Sequence, residues 1–108
     1  MTYDERSILE RLFAQLPDAK EELKAQSKSA KVITLDEEGS LRFVIDSSIA
    51  PSAEFADRVP VTALFDDADG VPVYILLHIH EGKLFELEIY KADGSKILST
   101  PVAKKFYF

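Results

Sequence analysis

Apolar residues recur along this chain with two different periods, and the change comes at Lys31. Before it, Ile8, Leu9, Leu12, Phe13 and Leu16 return at three- and four-residue steps, the spacing that lines one side of an α-helix. Thr2 and Glu5 stand at the Thr-x-x-Glu spacing with which a helix start satisfies its own free N–H groups. Pro17 pushes the residue before it out of the helical region and closes this first helix. Residues 18–26 are rich in helix formers and predict a second, short helix, anchored by Leu23 and otherwise a solvated Lys/Glu surface.

From Lys31 onward the period is two. Alternation predicts strands at 32–35, 41–45, 59–65, 71–80 and 84–90. Asp36-Glu37-Glu38-Gly39-Ser40, Asp66-Asp67-Ala68-Asp69-Gly70 and Asp93-Gly94 read as the turns between elements. Pro60 falls near the start of the third strand, where a missing N–H is tolerated. Residues 46–58, with Pro51, follow neither period and predict a long connection crossing the sheet or its edge. Ile97 and Leu98 suggest one more short strand before Pro101.

The hairpin over 71–90 has a register that can be argued. Val73, Ile75, Leu77 and Ile79 make one apolar face, and Phe85, Leu87 and Ile89 make its match. A two-residue Glu81-Gly82 loop sets Leu77 against Glu86 and Ile75 against Glu88, burying carboxylates. A three-residue loop, His80-Glu81-Gly82, sets Leu77 against Phe85 and Ile75 against Leu87, and this register is expected. The opposite face then shows Tyr74, Leu76, His78 and His80 beside Leu84, Glu86, Glu88 and Tyr90. That mixture is too polar for a core and richer in aromatics than an idle surface, as interface centres are. The expected fold is α+β: one or two N-terminal helices packed on one face of a mostly antiparallel five- or six-stranded sheet. Residues 1–108 form one domain, with 1–28 helical, 31–100 the sheet, and 101–108 a tail or an edge strand. The hairpin's apolar face packs on the stripe from Ile8 to Leu16.

Composition bounds what such a fold does. The 108 residues suit a single domain, and the absence of cysteine excludes disulfides, thiolate metal sites and Cys nucleophiles. The longest apolar run, 71–77, is far below the roughly 18 residues of a spanning helix. The early acids Asp4 and Glu5 do not suit a secretory signal, so a cytoplasmic protein away from membranes is expected. Charge is unevenly placed. Residues 32–90 hold twelve acids against Arg42, Arg58 and Lys83, a formal −9, whereas 1–31 balance at zero and 91–108 carry +3. Such a field repels phosphate backbones and attracts a basic partner, so nucleic acid is not expected as one.

Catalytic chemistry is hard to place. His78 and His80 share a strand face with Glu86 as neighbour, a potential ligand set, but two-residue spacing alone is unspecific; no metal or other cofactor is expected. Aligning Gly70 with the glycine of a calcium loop puts Phe65 and Leu76 where carboxylates are required. Ser47, Ser48, Ser52 and Ser99 lie in no nucleophile-elbow pattern, and the four glycines form no phosphate loop. The chain is therefore expected not to be an enzyme.

The segment Gly70-Val71-Pro72-Val73-Tyr74-Ile75-Leu76-Leu77-His78, followed by Gly82-Lys83-Leu84-Phe85-Glu86-Leu87-Glu88-Ile89-Tyr90, resembles an uncharacterised family of small acidic bacterial proteins. Their shared ending runs Gly-x-Leu-x-Glu-Leu-Glu, an aliphatic residue and an aromatic one. Many relatives carry a Cys-Gly-Cys-like segment where this chain has Asp36-Glu37-Glu38-Gly39. In size and acidity the family is similar to immunity proteins of contact-dependent toxin systems. The resemblance implies a protein that binds a basic toxin domain, such as a nuclease, and neutralises it by occlusion. Asp66, Asp67, Asp69, Glu86 and Glu88 are then expected to supply complementary charge, with Tyr74, His78 and Tyr90 as anchors. A regulatory adaptor and a small metal-dependent enzyme are the alternatives, and a homodimer through the outer hairpin face is also possible.

Overall fold

The two sequence periods become two layers. The computed structural model describes residues 1–16, 20–46 and 61–108. Helix α1, Tyr3–Phe13, starts at the expected capping box: Thr2 Oγ1 accepts the Glu5 N–H at 3.1 Å and Glu5 Oε1 accepts the Thr2 N–H at 2.8 Å. Its stripe of Ile8, Leu9, Leu12 and Phe13 is buried, as is Leu16 just beyond it. Helix α2, Lys20–Ser29, runs three residues past the expected end and buries Leu23 and Gln26.

Five strands follow: β1 Lys31–Thr34, β2 Leu41–Val44, β3 Val61–Asp66, β4 Pro72–His80 and β5 Lys83–Lys91. They form one antiparallel sheet in the order β1-β2-β5-β4-β3. The α+β architecture is as the periodicity predicts. The inward residues Leu41, Phe43, Val61, Ala63, Phe65, Val73, Ile75, Leu77, Ile79, Leu84, Leu87 and Ile89 join the helical stripe in one core. Val59, Pro60 and nearly all of the expected 46–58 connection lie outside the described residues. Ile97 and Leu98 form no strand; their N–H groups donate to Glu38 and Asp67 side chains instead. Residues 101–108 run through a single 3₁₀ turn, Ala103–Lys105, to a two-bond bridge between Tyr107 and Leu64 on the outer side of β3. Phe106, stacked on Phe65 at 6.0 Å, seals this edge into the core. Among the described residues no helix is long and apolar enough to cross a membrane.

The hairpin register differs from expectation, for a definite reason. The loop is the two-residue Glu81-Gly82, both residues at positive φ (51° and 76°), as the tight turn matching strand twist requires. His80 pairs with Lys83 and Ile79 with Leu84, but His78 then pairs with Glu86, so Phe85 is an extra residue in β5. This β-bulge shifts the rest of the ladder by one, setting Leu77 opposite Leu87 and Ile75 opposite Ile89. The carboxylates stay out of the core without lengthening the loop. Phe85 and Leu84 exchange the faces expected of them: Leu84 is buried and Phe85 is exposed.

Two side chains extend the short β2–β5 ladder, which pairs Leu41 with Leu87 and Arg42 with Glu86. At the turn end the Leu84 N–H has no strand partner there, and Gln26 Oε1 accepts it at 2.8 Å while Gln26 Nε2 donates to the Gly82 carbonyl at 2.9 Å. At the other end Ser40 Oγ accepts the Ile89 N–H at 2.9 Å and donates to the Ile89 carbonyl at 3.2 Å. Gly39 lets the loop lie this close: its φ is +103° and a Cβ there would stand 3.3 Å from Ile89 Cδ1.

Gln26→Leu therefore strands a buried N–H and a carbonyl, and urea unfolding should show a loss of about 1–3 kcal/mol. Glu81→Asn, which suits the left-handed turn position better, should raise stability by about 0.5–1 kcal/mol in the same assay.

Candidate partner-binding face

Alternation along β4 and β5 sends Tyr74, Leu76, His78, Glu86, Glu88 and Tyr90 to the side of the sheet away from the helical core residues, and the bulge adds Phe85. Arg42 joins them from β2, where Leu41 and Phe43 point inward. Cross-strand pairing fixes most of these groups. Tyr74 and Tyr90 sit directly opposite and stack with centroids 5.2 Å apart and planes 13° apart. His78 Nε2 meets Glu88 Oε1 at 2.9 Å, one step diagonal to its pairing partner Glu86. Glu86 Oε1 accepts from Arg42 Nη2 at 2.8 Å and Nε at 3.3 Å, and the same guanidinium lies 4.4 Å from the Phe85 ring centre. His80 flanks Phe85 on the other side, at 5.5 Å between ring centres.

The five expected residues on the hairpin, Tyr74, His78, Glu86, Glu88 and Tyr90, thus share one face. The three aspartates of the β3–β4 turn do not act with them as a unit. Asp66 accepts the Tyr107 hydroxyl at 2.8 Å, and that bond, with burial second, holds the Tyr107 phenol above its ordinary pKa. Asp67 is buried: it receives the Lys91 ammonium at 2.9 Å and the N–H groups of Ala68, Leu98 and Ser99 at 2.8–2.9 Å. Burial opposes its charge, but the Leu98 N–H and Lys91 outweigh it and hold Asp67 far below the usual carboxylate range. Asp69 takes the same ammonium at 2.7 Å, and that bond first, then the Val71 N–H, lowers its pKa too. Lys91 itself is buried, and burial works against its charge, yet its bonds to Asp67 and Asp69 raise its pKa. Asp67 is therefore a structural anion, out of reach of any partner, and Asp69 is half spent in the same way.

Other acids serve loops in a similar fashion. Asp36 Oδ1 accepts the N–H groups of Glu38 and Ser40, and Glu38 accepts that of Ile97. The acidic surplus read in the sequence is consequently smaller where a partner would meet it.

His78, Glu86 and Glu88 are the one group among the described residues whose ligand atoms, all within 4.8 Å of one another, suit a metal ion. His80 is outside it. Arg42 already holds Glu86, and a fixed positive charge beside the cluster opposes a cation. Arg42 and Phe85 are the members sequence reading missed. Arg42 stands at the outward position of Leu41-Arg42-Phe43, a visible signal; the bulge that exposes Phe85 has no signature in a two-residue period.

The Asp67 and Asp69 carboxyls bind protons more weakly folded than unfolded, so their contribution is complete above about pH 4 and lost as pH falls below it. Denaturant titrations from about pH 5 to pH 2 should show stability falling with pH, with a shallower slope for Asp67→Asn. An unchanged slope would remove Asp67 from the acid response.

A family model described as a domain of unknown function, DUF6984, matches residues 1–101. No curated protein matches the chain, and no solved structure does.

Proposed function

We propose, for a chain that belongs to the DUF6984 family of domains of unknown function, a binding protein that docks a basic partner on its outer sheet face and catalyses no reaction. The observation that carries this reading is the stacked Tyr74–Tyr90 pair flanked by the His78–Glu88 and Arg42–Glu86 contacts. Those groups are fixed before any partner arrives, so little side-chain freedom is lost on docking. Two adjacent tyrosines with a carboxylate rim are the composition in which a few aromatics dominate binding.

The finer reading is an immunity protein acting in the bacterial cytoplasm. The partner is then a toxin domain of net positive charge, a nuclease for instance, and occlusion of its basic active surface is the whole mechanism. The net charge of −6 supports a cationic partner, and the resemblance to small acidic immunity proteins supports the toxin. Tyr74, Tyr90 and Phe85 serve as anchors; Glu88, Glu86 and Asp66 supply charge, with His78 and Arg42 orienting two of them. Asp67 is left to the fold. A small metal-dependent enzyme is the second reading, favoured by the His78, Glu86 and Glu88 cluster alone. Metal analysis of the purified protein separates the two.

Affinity capture from the native cells should recover one basic protein. Tyr74→Ala and Tyr90→Ala should each weaken its binding by about tenfold or more, on the scale of interface anchors. Association should slow steeply as salt rises from about 0.05 to 0.5 M, and Glu88→Lys should slow it further. An acidic partner, salt-independent association or full binding by both Tyr variants would overturn the reading.

A further inference from the structure

The outer face already holds one arginine, and it is the protein's own. Arg42 donates from Nη2 to Glu86 Oε1 at 2.8 Å and lies 4.4 Å from the centre of the Phe85 ring, so a carboxylate and an aromatic face share one guanidinium. Further along β5 the same two chemical groups recur as Glu88 and Tyr90. Among the described residues Glu88 meets only His78, through Oε1 at 2.9 Å, and its side chain is 41% exposed. Tyr90 is exposed as well. Residues two apart on one strand face stand about 7 Å from each other, a gap that a guanidinium bonded to one and laid on the other can span. Tyr74 covers the Tyr90 ring from the β4 side with planes 13° apart, so the free ring face turns towards β2, the other neighbour of β5. At that level β2 has given way to the turn before it. Gly39 has no side chain, and Ser40 turns its hydroxyl into the ladder, onto the Ile89 backbone. Arg42 fills the outer position beside Glu86; neither Gly39 nor Ser40 fills the one beside Glu88 and Tyr90.

We infer that this second position takes an arginine presented by the partner, its guanidinium paired with Glu88 Oε2 and laid on the free face of Tyr90. The inference rests on the partner-binding reading above and narrows the occupant from a basic surface to one kind of side chain. Arginine suits the position better than lysine. A planar guanidinium hydrogen-bonds a carboxylate along its edge while its flat face stacks on a ring, and a compact, strongly hydrated ammonium does both less well. His78 fixes the Glu88 carboxylate from the other side, and Tyr74 fixes the ring, so both halves of the position stand ready before the partner arrives.

Nuclear magnetic resonance titration of the labelled full chain with the blocked tripeptide acetyl-Gly-Arg-Gly-amide, at constant ionic strength, tests this directly. The Glu88 and Tyr90 signals should move and half-saturate at about 10 mM, the strength of one ion pair plus one ring contact. The lysine tripeptide should bind at least about threefold more weakly, and the uncharged citrulline analogue should leave those signals in place. Glu88→Gln and Tyr90→Leu should each weaken the arginine peptide by about fivefold or more. Arg42→Ala uncovers Glu86 and Phe85 and should add a second arginine response centred on Phe85, which general attraction to an acidic protein does not produce. Equal responses to the arginine and lysine peptides, shifts scattered over the exposed acids, or a silent Phe85 in Arg42→Ala would overturn the inference. Against a basic protein captured from the native cells, unchanged binding by Glu88→Gln overturns the arginine position alone, whereas full binding by both Tyr74→Ala and Tyr90→Ala overturns the reading beneath it.

Discussion

One extra residue in β5 governs the arrangement of this protein. A strand with strict alternation cannot bury Leu84, Leu87 and Ile89 together, since the first two are separated by an odd number of steps. The bulge at Phe85 absorbs the odd step, lets a two-residue turn coexist with an apolar core, and turns Phe85 and Glu86 outward side by side. The burial of Leu84 in the core and the place of Phe85 beside Arg42 on the outer face both follow from it. The bulge also explains why Gln26 is buried and bonded. β2 reaches β5 at Leu87 and Glu86 only, and the turn end of β5 takes its polar partner from a helix instead.

Charge is distributed by the same logic of satisfaction. Lys91 ends β5 on its buried side, where an ammonium is tolerable only with anions in contact, and Asp67 and Asp69 supply them. An acid-rich turn that looks like a steering surface in the sequence is thereby mostly the counterion of one buried lysine. What remains outward is a smaller and more ordered set, in which Glu86 is held by Arg42 and Glu88 by His78. Such a surface couples complementary charge to fixed geometry, and the two together set specificity.

Much of this was readable from the residues. The Ile8-to-Leu16 stripe, the Thr2–Glu5 cap and the alternation of Val73, Ile75, Leu77 and Ile79 define the layers because a helix and a strand bury different periods. The outward placement of Tyr74, His78, Glu86, Glu88 and Tyr90 was legible too, since the bulge lies on the turn side of Glu86 and leaves the alternation beyond it intact. The bulge was not legible. Both registers keep Leu87 and Ile89 inward, and only tertiary packing decides between Leu84 and Phe85 for the remaining core position. Lys91 was also hidden, because a lysine after Tyr90 reads as solvent-exposed until its two aspartates arrive from another loop. Tyr107 closing the β3 edge depends on a contact 43 residues along the chain, which no local pattern encodes.

The two-residue turn, the choice of Leu84 for the core and the place of Phe85 on the outer face are consequences of a single pairing decision, and that decision is directly observable. Interstrand nuclear Overhauser effects in isotopically labelled protein report which residues face each other across β4 and β5. The bulged register predicts cross-peaks joining Leu77 to Leu87, Ile75 to Ile89 and Ile79 to Leu84, with the Phe85 ring near Arg42. Cross-peaks joining Leu77 to Phe85 and Ile75 to Leu87 would contradict it, returning Phe85 to the core and Leu84 to the outer face.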